Sequence, residues 1–179
     1  MMKKVALVIG HQSNNQGAYG SKGIGEWAFN TDLVDDITEV MKSVNAKIFQ
    51  RSKAISGYSN QMRALHAEID AWGADISIEF HFNSFSSDSA QGHEVLYCSE
   101  GGKKEAIKLN DSLDKYLPTS NRGVKKVTSS DRGGGFCCRG KSYALIIEPF
   151  FGSSQHQYID GGKYREPLIN AIVEYLENV

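Results

Sequence analysis

The sequence predicts a single α/β domain with a mainly parallel central sheet and helices on both faces. Three observations predict it. Residues 5–9 (Val-Ala-Leu-Val-Ile) and 144–147 (Ala-Leu-Ile-Ile) are unbroken apolar runs, the pattern of strands buried on both faces. Between them, short runs alternate with longer segments whose apolar residues recur at helical spacing, as in crossover units joining parallel strands. A chain of 179 residues suits one such domain around one core.

The first strand, residues 5–9, stops at Gly10-His11. Residues 11–25 are rich in Gly, Asn, Gln and Ser, the composition of a loop. A helix is expected from about Asn30, with Leu33, Val34, Ile37, Val40 and Met41 on one face and Thr31 and Asp32 as caps. Residues 46–50 read as strand two. Met62, Leu65, Ile69 and Trp72 share one face of a helix over residues 59–72, closed by Gly73. Residues 74–81 read as strand three and residues 94–97 as a short strand. Gly101-Gly102 opens a helix carrying Ile107, Leu109, Leu113 and Leu117. Residues 122–127 offer another short strand, and the polar, glycine-rich residues 128–141 a long mobile loop. Residues 143–148 form the last buried strand, ended by Pro149. A helix from about Lys163 turns Leu168, Ile172, Val173 and Leu176 inward. No repeat, linker or low-complexity tract divides the chain, so residues 1–179 are expected to form one domain.

Composition narrows the function. Hydrophobic residues are 40% and charged residues 23%, ordinary for a globular chain. A net charge of -1 and a pI near 6.5 give no electrostatic case for nucleic acid or an anionic membrane surface. No apolar stretch is long enough to cross a bilayer, so stable membrane insertion is not expected. The N-terminal apolar run follows two lysines but is too short for a signal peptide, and it ends in Gly-His-Gln-Ser-Asn-Asn rather than a small-residue cleavage site. Synthesis in the cytoplasm without a signal peptide is the expectation. The 3 cysteines, two of them adjacent at Cys137-Cys138, make neither a disulfide framework nor a zinc-knuckle spacing and suit a reducing compartment. Cys137 and Cys138 are read as small residues in the mobile loop. Gly20-Ser-Lys-Gly-Ile-Gly25 is not a dinucleotide fingerprint, which disfavours a nucleotide binder.

Three expected strands end in side chains fit for chemistry: strand one at His11, strand three at His81, the last at Glu148. Parallel strands bring their carboxyl ends to one edge, where ligands of open α/β sheets bind. Glu26, in the loop leaving strand one, can fold back over that edge. Two histidines and a carboxylate are the donor set of a catalytic zinc with one position open to water. Glu148 ends four apolar residues, and a carboxylate so placed is costly to bury without a purpose. It is the candidate general base.

These residues carry a resemblance to the zinc-dependent N-acetylmuramoyl-L-alanine amidases, in their type-three form, which cut bacterial peptidoglycan. The matching elements are Gly10-His11 through Gly17-Ala18 to Gly25-Glu26, then Ala74-Asp75 before a strand ending in His81-Phe82-Asn83. Gly92-His93-Glu94-Val-Leu-Tyr97, Arg122-Gly-Val-Lys125 and Ala144-Leu-Ile-Ile-Glu148-Pro-Phe-Phe-Gly-Ser-Ser154 follow. They cover nearly the whole chain, in order. The resemblance implies a phosphorylase/hydrolase-like α/β fold and one catalytic Zn2+ held by His11, Glu26 and His81. It further implies Glu148 as the catalytic carboxylate, Asn83 as a substrate-positioning residue, and a peptidoglycan substrate cut between N-acetylmuramic acid and L-alanine.

The sequence departs from the family at the central strand. Where Ser-Ile-His-Ala-Asn is usual, this chain has Glu79-Phe-His81-Phe-Asn83. Residues two apart on a strand share a face, so Glu79 is expected to support His81 as a hydrogen-bond acceptor. This form, with the short chain, is similar to phage lysis amidases. That implies an endolysin acting on the cell wall after release by a holin-type partner, with no separate wall-binding domain. The rival readings are another zinc metallohydrolase such as a carboxypeptidase, and a catalytically silent wall-binding module. Among weaker candidates, His93-Glu94 fails the His-Glu-x-x-His pattern at Tyr97, and His93 is expected to be exposed. His66 and His156 are expected to be structural or solvated. Arg132 or Arg139 is expected to meet stem-peptide carboxylates.

Overall fold

The computed structural model describes residues 3–41, 44–87, 89–154 and 164–179; His156 lies outside them. In chain order the elements are β1 (Lys4–Ile9), α1 (Glu26–Val40), β2 (Asn45–Gln50), α2 (Tyr58–Trp72), β3 (Ile76–Phe80) and β4 (His93–Tyr97). They continue with α3 (Glu100–Tyr116), β5 (Asn121–Lys126), α4 (Gly134–Cys137), β6 (Tyr143–Glu148) and α5 (Arg165–Glu177).

The strands form one sheet in the order β2-β1-β3-β6-β4-β5. β2, β1, β3 and β6 run parallel, in register Ile9↔Gln50, Ile9↔Phe80 and Phe80↔Ile147. β4 is antiparallel to β6, with Glu94 opposite Glu148, and β5 runs parallel to β4. The expected mainly parallel sheet is therefore present, with two strands reversed at one side. Because β1, β3 and β6 are adjacent and parallel, His11, His81 and Glu148 emerge at one edge.

Alternation along each strand divides the core in two. Val5, Leu7 and Ile9 pack with Phe29, Leu33 and Ile37 of α1, Leu109 and Leu113 of α3, and Leu168 and Ile172 of α5. Ala6 and Val8 face the other way, onto Met62, Leu65 and Ile69 of α2 and Phe136 of α4. Burying each large apolar side chain contributes about 1.5–3 kcal/mol, so both layers hold the sheet. α3 is capped by Ser99, whose Oγ accepts from the Gly102 N–H at 3.0 Å. The edge strands β2 and β5 are largely exposed and carry Lys47, Lys125 and Lys126, charges that discourage edge pairing.

Four expectations are corrected. Helix α1 begins at Glu26 rather than near Asn30, with Gly25 as N-cap and no side-chain cap. Trp27 and Phe29 extend its apolar face one turn earlier than the aliphatic residues alone suggest. Residues 128–141 are not a featureless loop. Asp131 accepts from the Thr128 N–H and hydroxyl, and α4 buries Phe136 completely. The cysteines do pair: Cys98, one residue past β4, is bonded to Cys138, and Cys137 is free and buried. The link joins positions 40 apart, a spacing that a motif of adjacent cysteines does not reveal. Finally, His93 is fully buried, its Nδ1 2.9 Å from the Thr119 hydroxyl. His66 is also buried, against the Phe136 ring.

Candidate metal centre and catalytic cleft

The centre starts where β1 runs out. The Gly10 N–H still bonds the Phe80 carbonyl at 3.1 Å, then His11 turns out of the sheet at φ 63. Left-handed backbone at a non-glycine residue costs roughly 1–3 kcal/mol and is kept where surrounding structure enforces it, often at functional sites. The turn aims the imidazole at Glu26, the first residue of α1.

Glu26 is 1% exposed and fully engaged. Its Oε1 accepts from the Phe82 N–H at 3.1 Å and lies 2.7 Å from His81 Nδ1. Its Oε2 accepts from the Ala18 N–H at 3.1 Å and lies 3.2 Å from His11 Nε2. One donor atom from each of His11, Glu26 and His81 falls within 4.8 Å of the others. Two glycines make this approach possible. A Cβ on Gly10 would stand 2.7 Å from His81 Cε1, and one on Gly17 would stand 2.5 Å from His11 and 2.7 Å from Glu26.

Glu79 completes the histidine's surroundings. As its position two residues earlier requires, it shares a face with His81, and its Oε2 lies 3.2 Å from His81 Nε2. Its Oε1 has no hydrogen-bond partner among the described residues. Burial disfavours charge on His81, but the Glu79 and Glu26 carboxylates outweigh it and push its pKa up to about 10. Burial likewise raises Glu26, and the hydrogen bonds from His11 and His81 override it, bringing the carboxyl to about 2.

His11, Glu79 and His81 line a cavity of about 530 Å3, with Glu26 buried behind the two histidines. Glu148 opens into it from the end of β6, 8% exposed, with Oε2 unpaired. Burial pushes its pKa up to about 7, with the neighbouring Glu26 and Glu94 charges adding to the rise and His81 and Arg132 opposing it. Part of the segment 129–139 also lines the cavity, including Arg132 and Arg139, and this segment is tied to β4 through Cys98–Cys138.

The structure thus brings His11, Glu26, His81, Glu79 and Glu148 together. Asn83 stands apart: it does not line the cavity, and its Nδ2 donates to Glu94 Oε1 at 2.9 Å. Glu94 also accepts from Arg122 Nε at 2.8 Å, so Asn83 belongs to a partly buried polar chain centred on Glu94. Sequence reasoning missed Arg51. It follows β2 directly, is 7% exposed, lines the cavity and packs over the Tyr58 ring at 5.4 Å. The strand-end rule that found the other residues could have found it.

The sequence profile of a family described as N-acetylmuramoyl-L-alanine amidase matches residues 5–178. No curated protein matches the sequence. Among solved structures, an N-acetylmuramoyl-L-alanine amidase from Clostridium difficile 630 superposes with a TM-score of 0.81 at 18% identity, covering 99% of this chain and 96% of that one. The catalytic domain of the CD27L endolysin, which targets Clostridia difficile, gives 0.80 at 24% identity, covering 98% and 97%. The catalytic domain of the CwlV amidase from Bacillus (Paenibacillus) polymyxa var. colistinus gives 0.77 at 19%, covering 98% and 99%. Similarity at these identities establishes the shared fold.

Proposed function

The chain belongs to the N-acetylmuramoyl-L-alanine amidase family, and from that premise we propose a zinc-dependent peptidoglycan hydrolase that cleaves the amide between N-acetylmuramic acid and L-alanine. The observation that carries this reading is the convergence of His11, Glu26 and His81 within 4.8 Å beside a cavity lined by both histidines and by the buried Glu148, whose Oε2 has no partner among the described residues. Two imidazole nitrogens and one carboxylate oxygen fit a catalytic zinc with one open position. Bound there, the ion supplies a Lewis acid that activates water and polarises the scissile carbonyl.

The chain's own residues supply the rest. Glu26 is held by two backbone N–H groups, so its carboxylate presents fixed oxygens to the site. His81 offers Nδ1 to the metal and keeps a proton on Nε2, where Glu79 accepts it and fixes the ring's tautomer and orientation. Glu148 takes a proton from the attacking water and delivers it to the leaving nitrogen as the carbon–nitrogen bond breaks. A carboxyl with a pKa raised toward neutrality is suited to both transfers. The products are the lactyl carboxylate on the sugar and a free L-alanine amine.

The biological setting we propose is phage-type host lysis. The Glu-Phe-His-Phe-Asn strand end supports it, as does the similarity to an endolysin catalytic domain. In that setting a holin-type partner gives access to the wall. No helix of the described residues is long and apolar enough to cross a membrane.

Zinc content and product analysis test the reading together. About one zinc per chain, with L-alanine amines released from peptidoglycan whose glycan stays intact, is expected. A shortened peptide tail would mark a carboxypeptidase instead, and binding without turnover a silent wall-binding module.

A further inference from the structure

Among the described residues that line the cavity, Arg51 is the one buried arginine. It is 7% exposed, and its Nε is sealed from solvent with no hydrogen-bond partner. Among the described residues no carboxylate forms an ion pair with it, and its guanidinium instead lies over the Tyr58 ring, 5.4 Å from the centroid. The Gln12 amide fixes its backbone carbonyl at 3.2 Å. A buried guanidinium without an anion is costly, yet here packing below and the Tyr58 ring beside it hold the group at a cavity wall. Arg132 and Arg139, which also line the cavity, are exposed; Arg139 Nε is already spent on the Gly135 carbonyl.

Its position has a direction. Gln50 pairs with Ile9, so Arg51 leaves the sheet level with Gly10 and His11, about one strand spacing of ~4.8 Å to the side. Glu148 emerges on the other side of β1, two strands away in the order β2-β1-β3-β6. The proposed reaction centre therefore lies between β1 and β6, and Arg51 flanks it beyond β1. A muramoyl peptide extends from its scissile amide in two directions. One is an uncharged sugar chain and the other a peptide with carboxylates.

We propose that Arg51 is a carboxylate-binding subsite that receives the peptide arm of the substrate, placing the peptide over β1 and β2 and the glycan toward β6 and β4. The assignment rests on the amidase reading. A planar guanidinium held on an aromatic face recognises a carboxylate through two parallel N–H···O bonds. A primary amide at the same place offers one acceptor and no charge.

The test uses the zinc-loaded full chain and two soluble muramoyl peptides. They differ only in whether the residue after L-alanine carries a free α-carboxylate or its primary amide. Wild type is expected to favour the carboxylate by roughly ten- to a hundred-fold in kcat/KM, mainly through KM. In Arg51→Gln the two substrates should converge, and Arg51→Lys should keep a reduced preference. Equal kcat/KM for both peptides in wild type overturns the subsite whether or not the variants fold, as does a preference that survives in Arg51→Gln. Failure of wild type to release L-alanine amines from either peptide or from peptidoglycan overturns the amidase reading itself, and the subsite with it.

Discussion

Glu79 Oε2 lies 3.2 Å from His81 Nε2, on the side of the ring opposite to the nitrogen that faces Glu26. The strand position that departs from the family's usual serine thus carries a carboxylate in contact with a proposed metal ligand. Glu79→Ala is expected to weaken zinc binding about 10–100-fold, read by competition against a chelator. Glu79→Gln, which keeps a hydrogen-bond acceptor, should lose less. Unchanged affinity in both would remove Glu79 from the centre.

Glu148→Gln separates base from ligand. The substitution is nearly isosteric and relieves a buried charge, so the fold should survive. Turnover on peptidoglycan should fall by roughly 10²–10⁴ while zinc content stays at the wild-type level. Loss of zinc in this variant would mean that Glu148 helps to hold the ion.

Zinc binding should release a proton. In the metal-free protein His81 is held charged between Glu26 and Glu79, with a pKa near 10, and a ligand imidazole must give up that proton. Apparent zinc affinity should therefore rise with pH through the neutral range. Calorimetry in buffers of different ionisation enthalpy reads the proton directly; a titration without buffer dependence would contradict the pairing.

The same groups set the pH range of metal-free stability. The His81 pKa is raised from 6.5, so its contribution is full below about 6.5 and is lost as pH rises through about 10. Glu26 is lowered from 4.5 to about 2, so its contribution is present above 4.5 and is lost as pH falls through about 2. Urea melts of metal-free protein should show both losses, and the alkaline one should shrink in Glu79→Gln and in Glu26→Gln, since each removes one of the two carboxylates that raise His81.

Reduction should loosen the far wall of the cleft. Cys98–Cys138 closes a loop between positions 40 apart, and such a link contributes about 2–4 kcal/mol. Cys98→Ser should lower the midpoint of unfolding to that of reduced wild type. If reductant leaves the wild-type midpoint unmoved, the link is absent in solution.

Much of the fold was legible because its signals are local. The apolar runs of β1 and β6 and the Met62, Leu65 and Ile69 stripe of α2 announce themselves within a few residues. The convergence of His11, His81 and Glu148 was legible because strand ends are chemically special places in a parallel sheet. What stayed hidden depends on distant partners. Nothing near Cys98 points to Cys138, and nothing near His93 shows that Thr119 and the α3 side will bury it. Glu26 was placed in a loop because aliphatic spacing begins only at Leu33, whereas the aromatic residues Trp27 and Phe29 carry the first turn. Nothing in the sequence beside Arg51 shows that Tyr58, seven positions on, folds back against it.

The glycines beside His11, Glu26 and His81 make the two sides of the cleft unequal for anyone wishing to retune it. A single methyl at position 10 or 17 would collide with His81, or with His11 and Glu26, so that side tolerates no exploration. The rim at residues 129–139 presents exposed Arg132 and Arg139 on either side of the short helix α4, anchored at Cys138. A library aimed at new wall chemistries belongs there, with Arg132 held constant because its charge acts on Glu148.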